Sequence, residues 1–126
     1  MKIRHVAMFS SDHDRLAKFY TRVLGLEEVS RGGSPPGNTI YLTDGYINVA
    51  IIGTKGAESQ PPGVNHIGFK VDDLEEAKEM LRSQEGDLKV DEQPGLALHG
   101  QYFEAKFKDP EGFVFDVSQS GWPGQQ

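Results

Sequence analysis

The chain has 126 residues, 37% of them hydrophobic and 25% charged, with a formal net charge of −6, enough to bury one domain's core without covalent staples. It contains no cysteine, which excludes disulfides and thiolate metal sites. An acidic balance without a basic cluster argues against nucleic acid and anionic membranes as partners, and no apolar run approaches the ~18 residues of a membrane span.

Residues Ile3 to Phe9 alternate as a strand, with His5 and Ala7 on one face and Val6 and Met8 on the other. No signal-peptide core precedes this pattern, so the expected address is the cytoplasm. Ser10, Ser11 and Asp12 offer helix caps. Leu16, Phe19, Tyr20, Val23 and Leu24 then recur as one helix stripe, and Gly25 is suited to ending it. Leu26 to Arg31 reads as a short strand, and Gly32 to Asn38 as a flexible loop. Thr39 to Leu42 and Tyr46 to Ile52 read as a hairpin turning at Asp44-Gly45.

Gly53 to Gly63 is polar and rich in Gly and Pro, as a linker would be. After it the first pattern returns. His66-Ile67-Gly68-Phe69-Lys70-Val71 overlies His5-Val6-Ala7-Met8-Phe9-Ser10 at a shift of 61 residues, that separating His5 from His66. The same shift sets Ala77, Met80 and Leu81 over Leu16, Phe19 and Tyr20, and Gly86 over Gly25. Asp72 with Glu75 reads as a capping box for the second helix. This is an internal repeat. It predicts an α+β fold of two βαβββ modules related by a pseudo-twofold, forming a cleft lined by antiparallel sheets. Module 1 covers residues 1–53, a linker 54–63, module 2 residues 64–119 and a tail 120–126.

The last strong stretch, Phe107 to Val117, is strand, turn and strand, with Pro110 and Gly112 supplying the turn. Phe113, Phe115 and Val117 share one face of the second strand, and Asp116 stands on the other. A lone carboxylate is not left dry and unpaired; it is wet, paired or holding a metal. Ile67, Phe69 and Val71, like Ile47, Val49 and Ile51, form further apolar faces suited to covering helices. His5, Asn48, His66 and Asp116 all fall on the opposite faces, so they would line the cleft.

The order of these features resembles the vicinal oxygen chelate superfamily, which includes glyoxalase I, fosfomycin- and bleomycin-resistance proteins, methylmalonyl-CoA epimerase and extradiol dioxygenases. The marks are His5-Val6-Ala7 with the helix after it, His66-Ile67-Gly68 followed by Val71-Asp72-Asp73-Leu74, and Asp109-Pro110-Glu111-Gly112. The resemblance implies that His5, His66 and Asp116 bind a divalent metal, Fe(II) before Mn(II), Ni(II) or Zn(II). Two residues depart from the family pattern: Asp116 where Glu is usual, and Phe113 where Asn or His often follows the turn glycine.

The resemblance further implies a metal enzyme that holds a small substrate through adjacent oxygens, usually as a homodimer. Asn48 in place of a second strong carboxylate points to dioxygenase-type oxygenation before glyoxalase-type lyase or isomerase chemistry. A metal-free drug-binding protein is the third reading. Asn48 and Tyr46 are expected to contact substrate, with His99 and Tyr102 as acid–base candidates. Against these stand plainer roles: surface histidines for His5, His66 and His99, and a rim ion pair for Asp116. Trp122 in the Gly-rich tail is suited to packing on a partner or on its own chain.

Overall fold

A computed structural model describes residues 1–32, 38–54, 61–98 and 102–119, without side chains at 95–98, 102 and 103. Module 1 runs β1 (Lys2–Ser10), α1 (His13–Arg22), β2 (Glu27–Gly32), β3 (Thr39–Thr43) and β4 (Asn48–Gly53). Module 2 repeats the order: β5 (Gly63–Lys70), α2 (Leu74–Arg82), a short 3₁₀ turn at Gly86–Leu88, β6 (Asp91–Leu98), β7 (Tyr102–Lys108) and β8 (Val114–Ser118). Most of the expected loop and linker, and the tail with Trp122, lie outside the described residues.

All eight strands join in one mixed sheet, ordered β2-β3-β4-β1-β5-β8-β7-β6. Read outwards from the centre, both modules have the same sequence of strands: first, fourth, third, second. Within each module the first and fourth strands run parallel, and the modules meet through the antiparallel pair β1–β5. The pseudo-twofold passes through that central pair. His5 stands opposite Gly68, and Ala7 opposite His66, so each histidine faces the smallest residues of the other strand.

Each helix packs on its own module. Ala17 of α1 is buried against Ile40, Leu42 and Ile51, with Leu16, Tyr20, Leu26 and Val49 around them. Leu74, Ala77 and Leu81 of α2 cover Val71, Ala105, Phe107 and Val117. Complete burial of a side chain such as Phe107 contributes about 1.5–3 kcal/mol from apolar area alone.

Several local expectations are corrected. The cap of α2 is Asp73, whose carboxylate accepts from the Glu76 N–H at 3.0 Å, one residue later than the Asp72–Glu75 box. In α1 the stripe is only half covered: Phe19 is 49% exposed, and Val23 and Leu24 lie beyond the helix end at Arg22. The first-module turn is longer than two residues. Asp44 Oδ1 accepts from the N–H groups of Tyr46 and Ile47 at 2.8 and 2.7 Å, pulling both out of β4. Phe113 likewise belongs to a turn, its N–H held by Asp109 Oδ1 at 2.9 Å, and its ring is 71% exposed. Ile67 is 39% exposed and not covered by a helix.

Candidate metal centre

The central strands carry His5 and His66, and β8 lies parallel to β5 with Asp116 beside Gly68. Three residues far apart in the chain thereby converge. The three side chains are 2%, 7% and 0% exposed. Asp116 Oδ1 lies 3.1 Å from His5 Nε2, and Oδ2 lies 3.1 Å from His66 Nε2. The two rings meet edge to face with centroids 5.4 Å apart. One ligand atom from each residue lies within 4.8 Å of the others, and this is the only such group of His, Asp and Glu among the described residues.

The local sequence explains how the rings are held. His5 occupies the space above Gly68 that any side chain there would fill. His66 Nδ1 lies 2.6 Å from Asn65 Oδ1; the amide oxygen can only accept, so this contact puts the proton on Nδ1 and leaves the Nε2 lone pair facing Asp116.

These donors fit a divalent ion. The buried His66 Nε2 and Asp116 Oδ1 have no aligned hydrogen-bond partner among the described residues, although His66 Nε2 is 3.1 Å from Asp116 Oδ2 and Asp116 Oδ1 is 3.1 Å from His5 Nε2. Donors around one ion at ~2.1 Å stand about 3 Å apart, which is also the length of the two His–Asp contacts. Two imidazoles and one carboxylate suit Fe(II), Mn(II), Ni(II) or Zn(II). Burial lowers the His5 pKa against the opposing pull of Asp116, so its imidazole is neutral and available at neutral pH. Burial alone would raise Asp116, but the His5 and His66 rings hold it well below the ordinary carboxylate range.

Asn48 is fully buried and stands opposite His5 in the β1–β4 register. Its position is not the repeat equivalent of Asp116. Asp116 pairs with Gly68; the first-module counterpart of Gly68 is Ala7, whose β4 partner is Ala50. An alanine has no donor to offer there. Tyr46 is half-exposed and lies under the Arg4 guanidinium, 4.5 Å from it. His99 lies outside the described residues, as does the side chain of Tyr102, whose backbone begins β7.

Sequence reasoning missed Lys106. Its ammonium donates to Asp116 Oδ2 at 3.2 Å and lies 3.8 Å from Glu104, itself 4% exposed. Counting out equally from an Asp109–Gly112 turn would set Lys106 opposite Phe115; the ladder pairs it with Asp116 because the turn closes one residue later, between Asp109 and Phe113.

Comparison with known proteins adds the lineage. The family model of the Glyoxalase/Bleomycin resistance protein/Dioxygenase superfamily matches residues 2–117. A probable chloroplastic lactoylglutathione lyase of Arabidopsis thaliana is 27% identical over 95% of this chain. The chain spans only 36% of that protein's length, and 44% of a second Arabidopsis thaliana lactoylglutathione lyase. Methylmalonyl-CoA epimerase from Mycobacterium tuberculosis has the same fold, with a TM-score of 0.75 at 16% identity, covering 97% of this chain and 89% of that one. The Mn(II)-bound glyoxalase from Novosphingobium aromaticivorans has a TM-score of 0.65 at 22% identity, covering 93% and 37%.

Proposed function

The chain belongs to the glyoxalase/bleomycin resistance protein/dioxygenase superfamily, and from that premise we propose that it is a divalent-metal-dependent enzyme acting on a small substrate with adjacent oxygens. The reaction we assign is Fe(II) dioxygenase-type oxygenation. The observation that carries the reading is the buried group of two imidazoles and one carboxylate, with Ala50 where a second acid would complete a four-ligand set. Three ligands leave positions open for substrate. An Fe(II) ion held there supplies Lewis acidity toward both substrate oxygens and redox chemistry with O2.

The remaining roles belong to the chain's own side chains. His5 and His66 present ring nitrogens, and Asp116 supplies the negative charge. Asn65 orients His66, and Lys106 holds the second oxygen of Asp116. Asn48 and Tyr46 are assigned to the substrate side, and His99 and Tyr102 to proton transfer. A homodimer belongs to the same reading and is tested by light scattering.

The test is anaerobic loading with Fe(II), Mn(II), Ni(II) or Zn(II), followed by O2 uptake in the presence of catechols. Oxygen consumption with Fe(II), lost together with metal binding in His5→Ala and His66→Ala, is the expected result. A second reading, glyoxalase-type lyase or isomerase chemistry, draws on the 27% identity to the lactoylglutathione lyase. Turnover of the methylglyoxal–glutathione adduct with Ni(II) or Zn(II) and no oxygen uptake would establish it instead. Protein purified without chelators that holds no metal, and whose melting no metal shifts, would leave only a metal-free binding role.

A further inference from the structure

One row across the sheet carries Asn48, His5, Gly68, Asp116 and Lys106 in adjacent register positions. Gly68 yields its space to the His5 ring, and Lys106 closes the row on the other side of Asp116. The Lys106 side chain is 14% exposed, and its ammonium donates one hydrogen bond, to Asp116 Oδ2 at 3.2 Å. The other carboxylate near it, Glu104, is 3.8 Å away, beyond hydrogen-bond length. A lysine ammonium has three N–H groups, so two of those on Lys106 have no acceptor among the described residues. Donors of a charge largely withdrawn from water are costly to leave unmatched. The field of the ammonium reaches His5, whose protonation it opposes.

The charges point the same way. Asp116 and Glu104 against Lys106 leave one negative charge in excess around the ammonium. With both histidines unprotonated, as ligation requires, a divalent ion turns this into one positive charge in excess. The donors of that site are at most 7% exposed, and an uncompensated charge is expensive there.

We propose, on the premise of the metal-enzyme reading above, that Lys106 anchors the substrate and that the substrate is an acid, with a carboxylate among or next to the oxygens that meet the ion. One N–H of Lys106 stays on Asp116 Oδ2, and the others donate to the substrate carboxylate as charge-assisted hydrogen bonds. That carboxylate also supplies the negative charge that balances the loaded site. A neutral diol or hydroxyketone offers the ion two oxygens but leaves the ammonium unmatched.

The test loads the parent and Lys106→Met with Zn(II), checks by elemental analysis that both hold the ion, and titrates each calorimetrically with glycolate and its neutral counterpart glycolamide. Methionine fills the space of the lysine stem without its charge. Lys106→Met should bind glycolate about tenfold more weakly than the parent and glycolamide equally well. A purely structural role for Lys106 would move both probes together. NMR of the Zn(II)-loaded parent gives a readout that needs no variant: glycolate should shift the Lys106 side-chain resonances, and glycolamide should not. Absence of glycolate binding to the loaded parent overturns the proposal, as do equal glycolate affinities in the two proteins or equal losses of both probes. A loss in Lys106→Met confined to catechol would make the anionic oxygen a phenolate and overturn the carboxylate assignment. Failure of the parent to take up Zn(II) would overturn the metal-enzyme reading and this proposal with it; full loading with glycolate affinity unchanged in the variant overturns this proposal alone.

Discussion

The imidazole of His5 lies directly over the α-carbon of Gly68, in space that a methyl group at Gly68 would take. The glycine is therefore part of the site, although it has no functional group. Gly68→Ala must displace the ring, and with it one of the three converging donors. Overpacking of this kind costs about 1–3 kcal/mol in stability. Metal affinity should fall at least about tenfold, by the same logic that makes ligand-orienting contacts matter. Urea unfolding and a competition titration measure the two effects. A variant that binds metal as tightly as the parent would show that the ring has room to move.

Asn65 is the residue that sets the proton on His66. In Asn65→Ala the ring loses its acceptor and is free to present either nitrogen. Metal affinity should drop by about 10–100-fold while the melting temperature of the metal-free protein changes little. Equal affinity in parent and variant would assign the orientation of His66 to packing alone.

Lys106 predicts an effect of opposite sign. Its ammonium touches the carboxylate proposed to hold the ion, so it steadies Asp116 without metal and opposes a second cation. Lys106→Met should destabilise the metal-free protein by about 2 kcal/mol, the scale of a hydrogen bond to a charged group. It should also tighten metal binding by several-fold. A loss of metal affinity would mean that Lys106 serves chiefly to position Asp116.

The pH dependence follows from His5 and Asp116. Burial holds the His5 pKa below the ordinary 6.5, so on acidification the unfolded chain takes up this proton first. Stability of the metal-free protein is then fully present above pH 6.5 and declines as the pH falls from there toward the folded pKa. Asp116, whose pKa is depressed by its two histidines, adds a second decline below its ordinary value of 3.8. Urea midpoints measured from neutral pH downwards should show the first decline in the parent and a flatter profile in His5→Gln. An unchanged profile in that variant would remove His5 as the source.

Much of the architecture was legible along the chain because it is written in local terms. The shift of 61 residues between His5 and His66 exposed the duplication. Alternation in β1 and β5 put both histidines on the face away from the helices, and Asp12 proved to cap α1. The errors share a cause. Asp44 and Asp109 bind backbone N–H groups two to four residues onward, so Tyr46, Ile47 and Phe113 entered turns where apolar alternation alone had read strand. Phe19 lies on the apolar stripe, but half of it meets no sheet.

The amino-acid order by itself determined two βαβββ modules and set His5, Asn48, His66 and Asp116 on the strand faces away from the helices; the family resemblance singled out the trio His5, His66 and Asp116 among them. Only the tertiary structure decided that β1 and β5 pair within one chain, that Ala50 and not Asn48 mirrors Asp116, and that Arg4 closes on Tyr46. Alternation along a strand tells which side a residue faces. Which strand lies next to it, and in what register, is set by hydrogen bonds between segments distant in the chain, and these leave no periodic trace in the sequence.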